Sequence, residues 1–145
     1  MRLTFHGSVL ILGGSSELGR ALALALRAEG AQVCCVCRDD AGCARCAQDG
    51  LPALVLGDPE TLPARCEALL GRPVGHLADL LHSRFEQLVA MAAPEAIERW
   101  ADDDIALRAR CLRAVSRAML ARRFGRCVFV SSSAAQRPSP GQGWY

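Results

Sequence analysis

Two residue types are absent from the sequence, and aromatic residues are scarce. All 17 residues counted as lysine plus arginine are arginines, so the chain has no lysine, and it has no asparagine either. Aromatic residues make up only 5% of it. The apolar runs are too short to span a bilayer, and no signal-peptide pattern precedes the first of them. A cytoplasmic protein with no membrane partner is therefore predicted.

Neither charge nor size points to an unusual class of protein. The net charge is only +2, which gives no reason to expect nucleic acid or an anionic membrane surface as a partner. With 51% hydrophobic and 22% charged residues, the composition is that of a globular domain. A chain of 145 residues can bury roughly two-thirds of its unfolded surface. One domain covering residues 1–145 is predicted.

Cysteine, by contrast, is abundant, and five of the eight cysteines cluster: Cys34, Cys35, Cys37, Cys43 and Cys46. Free thiols are expected in a cytoplasmic protein. The spacings of Cys34 with Cys37 and of Cys43 with Cys46 are those of a metal knuckle. However, Cys34 and Cys37 lie in a predicted strand, where residues three apart point to opposite faces. No metal site is predicted, and the thiols are expected to act as small apolar side chains.

The most informative stretch joins an apolar run, residues 8–12, to an Ala/Leu-rich helical pattern through paired glycines and two serines. This order predicts a buried strand, a tight turn and a helix whose N-terminal N–H groups suit a phosphate. Gly13 and Gly14 would let the chain turn sharply and leave no side chain between backbone and ligand. Gly19 would let the helix pack closely on the strand.

The same alternation of strand and helix continues along the chain. Strands are predicted at 8–12, 32–37, 53–57, 77–82 and 126–131, and helices at 17–29, 41–48, 59–70 and 94–123. In the last helix an apolar face is predicted from Ile105, Leu112, Val115 and Met119. The arginines between them, Arg108, Arg110, Arg113 and Arg117, are expected to form a solvated surface.

Alternating strands and helices predict an α/β fold: a doubly wound, Rossmann-like parallel sheet of about five strands. In such sheets the ligand lies beyond the carboxyl ends of the strands. Gly13, Arg38, Asp58, His82 and Ser132 all fall at those predicted ends. A ligand site is therefore predicted there.

Several motifs resemble the short-chain dehydrogenase/reductase family. Residues 12–19, Leu-Gly-Gly-Ser-Ser-Glu-Leu-Gly, resemble its T-G-x-x-x-G-x-G turn, with Glu17 at the second glycine position. The stretch 128–132, Val-Phe-Val-Ser-Ser, resembles the strand that delivers the family's serine, and Tyr145 follows Ser132 at the family's spacing of thirteen residues. The resemblance extends from residue 8 to residue 145.

The resemblance implies a nicotinamide-dependent oxidoreductase that reduces a ketone or oxidises an alcohol, similar to 3-oxoacyl-carrier-protein reductases. Tyr145 would transfer the proton, Ser132 would polarise the substrate oxygen, and Asp104 would stand where the family has a relay asparagine. The cofactor would contact the turn residues Gly13, Gly14, Ser15, Ser16, Glu17, Leu18 and Gly19, together with Arg38, Asp58 and His82. The family also implies a homo-oligomer, formed through the helix around residues 104–123, and a small-molecule or acyl-carrier substrate.

The choice of cofactor rests on the residues after the second and third strands. An arginine at position 38 suits a 2′-phosphate and favours NADP, whereas Asp39 keeps NAD possible. By resemblance Asp58 binds the adenine, but it is equally explained as a cap before Pro59. For His82, a strand-end residue satisfied by the backbone is favoured over a catalytic role.

The sequence also departs from the family's pattern. The family has a lysine four residues after the tyrosine, which binds the nicotinamide ribose and lowers the tyrosine pKa, and this sequence has no lysine. Residues 82–85, His-Ser-Arg-Phe, replace the common N-N-A-G. Two explanations stay open: part of a longer reductase, inactive on its own, or a non-catalytic NADP-binding or assembly module. The first is favoured.

Overall fold

Five parallel strands form one sheet, in the order β3-β2-β1-β4-β5. The computed structural model describes residues 4–83, 85–137 and 139–142. The strands are β1 (Ser8–Leu12), β2 (Val33–Cys37), β3 (Ala53–Val55), β4 (Val74–Asp79) and β5 (Arg126–Phe129). The strand that follows β1, β2, pairs on one side of it, and β4 later pairs on its other side. The switch point of the sheet, where ligands bind in such folds, is therefore next to β1.

Helices cover both faces of this sheet, as the predicted doubly wound fold requires. They are α1 (Glu17–Ala28), α2 (Asp40–Gln48), α3 (Leu62–Leu70), α4 (Pro94–Trp100) and α5 (Leu107–Ala121). The helices α1 and α2 contribute to one core cluster, and α3 and α5 contribute to the other. Within the part of the chain that is described, no helix has the length and apolar character needed to cross a membrane.

The two central strands are apolar on both faces because each face is covered by helices. Every residue of β1 and β2 is buried. On β2, Cys34 packs in the core under α3 and α5, whereas Cys35 and Cys37 pack in the core under α1 and α2. The prediction that Cys34 and Cys37 lie on opposite faces is confirmed, and so is their role as small apolar side chains.

The predicted bounds of β4 were wrong by three residues at each end. The strand was predicted to begin at residue 77, but it begins at Val74, which pairs with Ser8. The glycine at 75 lets the backbone of residues 6–7 approach closely, rather than breaking the strand. At the other end the strand stops at Asp79, so His82 lies three residues beyond the sheet. The strands β3 and β5 are each two residues shorter than predicted.

The single helix predicted over residues 94–123 is divided by a π-helical segment, Ala101–Ala106. A π-turn is wider than an α-turn and rotates the residues before it relative to those that follow. Val115 and Met119, in α5, are buried as expected, but Ile105 lies in the π-helical segment and is 55% exposed. The expectation that Ile105 belongs to the same apolar face was wrong for this reason.

One edge of the sheet is exposed and apolar. All four residues of β5 are exposed, and Val128, Phe129 and Val130 keep 61%, 50% and 46% of their surface accessible. In the described residues, β5 pairs only with β4. Its outer backbone groups are therefore open to another strand or another chain.

At the amino-terminal end of the sheet, His76 on β4 packs among aromatic rings. Its ring lies 5.9 Å from that of Phe5 and 5.5 Å from that of Phe124. Burial, with smaller contributions from the neighbouring His6 and Arg126 and against a backbone hydrogen bond at Ser8, lowers the pKa of His76 below its usual value. Its Nδ1 is buried without a hydrogen-bond partner among the described residues. The folded protein therefore favours the neutral imidazole.

This lowered pKa predicts a loss of stability in mild acid. The unfolded chain takes up the proton first, so His76 contributes stability above pH 6.5 that is lost as the pH falls through its folded pKa. Urea denaturation across this range should show the free energy of unfolding decreasing with falling pH, and His76→Phe should reduce the slope. His82→Gln, at an exposed histidine, is the control. Equal slopes in all three proteins would contradict the assignment to His76.

Candidate functional site

Three glycines in and next to the turn between β1 and α1 lie where a side chain would not fit. Gly13 has φ +74°, and a Cβ there would lie 2.8 Å from the carbonyl oxygen of Leu80. At Gly14 a Cβ would lie 2.6 Å from the Cβ of Cys35, and at Gly19 it would lie 2.5 Å from the Gly13 carbonyl oxygen. All three positions therefore require glycine.

These contacts refine the roles predicted for the glycines. Gly19 does allow a close approach, with the first turn of α1 packing onto Gly13 and Gly14. The space left by Gly14, however, is filled by Cys35 of β2, and the Gly14 amide donates to the Val36 carbonyl at 3.0 Å. The expectation that Gly14 keeps space open for a ligand was wrong, because its missing side chain faces the neighbouring strand.

Ser16 fixes the start of α1. Its Oγ accepts a hydrogen bond from the Gly19 amide at 3.0 Å and donates to the Gly13 carbonyl at 2.8 Å. Ser15 is half-buried beside Gly42 of α2, while Glu17 and Leu18 are exposed on the first turn. The Ser16 side chain thus accepts from one of the N–H groups at the start of α1. The other N–H groups of the first turn have no hydrogen-bond acceptor within the helix. An anion can be held there.

A cavity of about 580 Å³ lies beside this turn, at the carboxyl ends of β4 and β5. It combines apolar and polar walls. The apolar walls are formed by Leu18, Leu80, Leu81, Phe85, Trp100, Ile105, Phe129, Val130 and Ala135, and the polar ones by Ser16, His82, Ser83, Asp104, Arg108, Ser131 and Ser132. The cavity thus brings together Ser16, Leu18, His82, Asp104 and Ser132 from the predicted site.

Ser132 follows β5 and begins a short 3₁₀ turn. Its Oγ accepts a hydrogen bond from the Ala134 amide at 3.1 Å. That bond fixes the oxygen while its hydroxyl hydrogen can still be donated to a ligand. A backbone hydrogen bond therefore orients the Ser132 side chain, which lines the cavity.

Asp104 lies in the π-helical segment and binds the loop after β4. Its Oδ1 accepts from the Ser83 amide at 2.9 Å, and its Oδ2 accepts from the Ser83 hydroxyl. Both carboxylate oxygens therefore take part in holding the loop. Ser83 was not among the predicted site residues, although its position beside His82 after the strand was a usable signal.

A buried ion pair beneath this loop was also missed. Asp79, only 2% exposed, accepts from Arg108 Nε at 2.9 Å and from the Leu81 amide at 2.9 Å. Burial, with a smaller contribution from the charge of Asp79, raises the pKa of the nearby Cys111 to about 11. The expectation that Arg108 belongs to a solvated surface was wrong. An acid inside the apolar run 77–81 requires a buried partner, and that signal was available in the sequence.

Other predicted residues lie outside the cavity wall. Arg38 is exposed, and its Nη1 lies 4.0 Å from Asp103 Oδ2, while Asp39 caps α2 by accepting from the Gly42 amide at 2.7 Å. Asp58 accepts from the Glu60 amide at 3.1 Å, which confirms that it acts as a cap and leaves a contact with adenine untested. Tyr145 lies outside the described residues.

Comparison with solved structures supports the fold. The structure of a short-chain type dehydrogenase/reductase from Mycobacterium ulcerans superposes with a TM-score of 0.84 at 23% sequence identity. The match covers 99% of this chain and 57% of that one, so the chain spans little more than half the length of its structural neighbour. No protein-family profile and no curated protein matches the sequence. The α/β, Rossmann-like fold predicted from the sequence is confirmed.

The Asp79–Arg108 pair should be among the strongest polar contributions to stability. Asp79→Ala leaves the partly buried guanidinium of Arg108 without its partner and should lower the free energy of unfolding by about 3 kcal/mol. Glu60→Ala, which removes the exposed partner of Arg113, should cost less than about 1 kcal/mol. Chemical denaturation measures both.

A double variant shows whether the stability lost in Asp79→Ala comes from the unpaired charge or from lost packing. Asp79→Leu combined with Arg108→Met replaces both charges by apolar groups and should recover most of the stability lost in Asp79→Ala. If the double variant is no more stable than Asp79→Ala, the unpaired charge is not the cause of the loss.

Proposed function

We propose that this chain is the nucleotide-binding part of an NAD(P)H-dependent oxidoreductase of the short-chain dehydrogenase/reductase type. The observation that carries the proposal is the cavity that joins the first turn of α1 to Ser132, Asp104 and Ser83 at the switch point of the sheet. A dinucleotide needs an anion site and an adjoining pocket, which the first turn of α1 and the cavity would supply. Reduction of a ketone, or oxidation of an alcohol in the reverse direction, is the proposed reaction.

The residues present fit a nicotinamide dinucleotide. The N–H groups of the first turn of α1 suit the pyrophosphate, and exposed Arg38, after β2, suits the 2′-phosphate of NADP. The ion pair of Arg38 with Asp103 is long and both side chains are largely exposed, so a phosphate can replace the carboxylate at little cost. NADP is therefore proposed, with NAD as the alternative because of Asp39.

The chain's own groups would act on the substrate oxygen. When bound, the cofactor supplies the hydride. Ser132 can donate its hydroxyl hydrogen to an oxygen on which negative charge develops, which stabilises the transition state. Tyr145 is proposed to transfer the proton. Asp104, with both oxygens bound by Ser83, would position the loop after β4, although by resemblance it would take part in the proton relay.

The lining of the cavity favours an apolar substrate. Aromatic and aliphatic side chains, including Phe85, Trp100, Ile105 and Phe129, form most of the wall. Such a wall suits the hydrocarbon part of an aliphatic ketone, including a 3-oxoacyl group, while Ser132 holds the oxygen. The 3-oxoacyl substrate rests on the resemblance described above.

The choice between NADP and NAD can be tested at Arg38. Arg38→Ala removes the cation proposed to bind the 2′-phosphate and should weaken NADPH binding about tenfold while leaving NADH binding unchanged. Titration with each nucleotide, followed by its fluorescence, gives the two dissociation constants. Arg110→Ala, on the exposed side of α5, is the matched control. An equal loss for both nucleotides would contradict the assignment.

A second candidate function, a non-catalytic assembly module, is favoured by the exposed edge of the sheet. Val128, Phe129 and Val130 lie beside the open side of β5, and Leu120 on α5 is 75% exposed. Apolar surface of this kind is typical of an interface. A homo-oligomer, either through this edge or through α5, is proposed.

Oligomerisation can be measured directly. Analytical ultracentrifugation of the chain should detect a dimer or larger species. Val128→Arg should shift it toward monomer if β5 forms the interface, because it places a charge at the contact. Leu120→Arg should do so if α5 forms it. A monomer over the whole accessible concentration range would contradict the proposal.

A further inference from the structure

Four cysteines form a cluster of sulfur atoms directly beneath the glycine turn. Cys35 and Cys37 are two residues apart on β2 and therefore point to the same face of the sheet, toward α2. Cys43 and Cys46 are three residues apart on α2 and share the face that packs on that strand. We call this set the thiol cluster. Its side chains pack in the core, and the proposed reaction does not use its thiol groups.

Within the thiol cluster, Cys37 and Cys46 make the closest contact. Their Sγ atoms lie 3.6 Å apart, and the two side chains are 1% and 0% exposed. The thiol of Cys46 also donates to the Gly14 carbonyl at 3.6 Å. One sulfur of the pair therefore contacts the other and also holds the turn at which the cofactor is proposed to bind.

A metal ion does not account for this arrangement. Among the residues that the structure describes, no group of three or more potential ligands is placed to hold one. Burial, with smaller contributions from the neighbouring sulfurs, raises the pKa of Cys35 to about 12 and that of Cys37 further still. These two groups are therefore thiols rather than thiolates at neutral pH.

We propose that Cys37 and Cys46 form a disulfide when the protein meets a small peroxide, and that this bond alters the glycine turn. The sulfur atoms need to approach from 3.6 Å to about 2.05 Å. Rotation of the two side chains about χ1 would bring the sulfur atoms together. The bond would join α2 to β2 beside Gly14.

The reaction is a two-electron oxidation with hydrogen peroxide as the oxidant. One thiol loses its proton, the thiolate attacks a peroxide oxygen and the O–O bond breaks; a sulfenic acid forms, and the departing hydroxide takes up the proton to give one water. The second thiol then attacks the sulfenic sulfur, the S–O bond breaks, and a second water leaves with the disulfide. Because the attacking species is the thiolate and the pKa of Cys37 is raised, the reaction should be slow at neutral pH and faster as the pH rises.

The expected consequence is a change in nucleotide binding, and this part rests on the proposed function. Oxidation removes the S–H that Cys46 donates to the Gly14 carbonyl, so that the turn loses a hydrogen bond from below. It also draws α2 toward β2 next to Arg38, which directly follows Cys37. NADPH binding should weaken about fivefold or more, as expected for two coupled sites.

Trypsin digestion can identify the bond because an arginine separates the candidate cysteines. Cleavage after Arg38, Arg45 and Arg65 places Cys43 in peptide 39–45 and Cys46 alone in peptide 46–65. After treatment of the whole chain with peroxide, mass spectrometry without reductant should show peptide 28–38 linked to 46–65. Fragmentation of the linked pair should assign the bond to Cys37. Linkage to 39–45 instead, or no linkage, would overturn the proposal.

Hydrogen exchange tests the effect on the turn independently of any nucleotide. Amides of residues 13–19 should exchange faster in the oxidised protein, and reduction should reverse the change. Cys46→Ala should abolish both the linked peptide and this response, whereas Cys127→Ala, at an exposed cysteine on β5, should keep both. Unchanged exchange in oxidised wild-type protein would overturn the coupling, and that measurement needs no variant to fold.

The two proposals fail in different ways. If the reduced protein does not bind NADPH, the proposed function fails, while peptide mapping and hydrogen exchange still decide the disulfide. If the reduced protein binds NADPH and the oxidised protein binds it equally well, the proposed function stands and regulation through the disulfide is overturned.

Discussion

The arrangement of the site depends on how closely three backbones approach one another at the glycine turn. Gly13 lies against the Leu80 carbonyl, Gly14 against Cys35, and Gly19 against Gly13, and at none of these positions is there room for a Cβ. This packing brings the first turn of α1 next to the ends of β2 and β4. The same turn therefore leaves the first N–H groups of α1 where a phosphate is proposed to bind, and it contacts Cys35 and Cys46.

Two aspartates link the chain at the end of β4 to the helical region that contains α5, one from each side of the contact. Asp79 extends from the end of β4 to Arg108 on α5, whereas Asp104 extends from the π-helical segment to Ser83 in the loop after β4. These two contacts hold the end of β4 against α5 and the loop after β4 against the π-helical segment. Because Asp79 is buried, the first of these links carries more energy than the exposed ion pairs elsewhere. Ser132 and the apolar side chains line the cavity beside these contacts.

The fold could be predicted from the sequence because each strand and helix carries a local signal. The apolar run of β1, the glycine turn and the alternation that follows identify a parallel sheet, and the opposite faces of Cys34 and Cys37 follow from strand geometry alone. The register of β4 could not be predicted, because Gly75 serves a close backbone contact that is made only in the folded chain. The π-helical segment has no comparable local signature, so Ile105 was assigned to the wrong face.

The site was only partly predictable for a similar reason. Residues that follow strands, such as Ser132 and His82, are brought to the cavity by topology, which alternation predicts. Asp79 with Arg108 and Asp104 with Ser83 are pairs distant in sequence, and their partners depend on how α5 is rotated on the sheet. An acidic residue within an apolar strand, such as Asp79, indicates that a buried partner is needed, but it does not identify that partner.

The most direct test of a dinucleotide site at the glycine turn is to map backbone amide chemical shifts during titration with NADP⁺. If the turn holds the pyrophosphate, the largest shifts will fall on residues 13–19 and on Arg38, with smaller ones along the cavity at Ser83 and Ser132. Saturation without shifts in the turn, or the largest shifts at the opposite end of the sheet around Phe5 and Phe124, would contradict it.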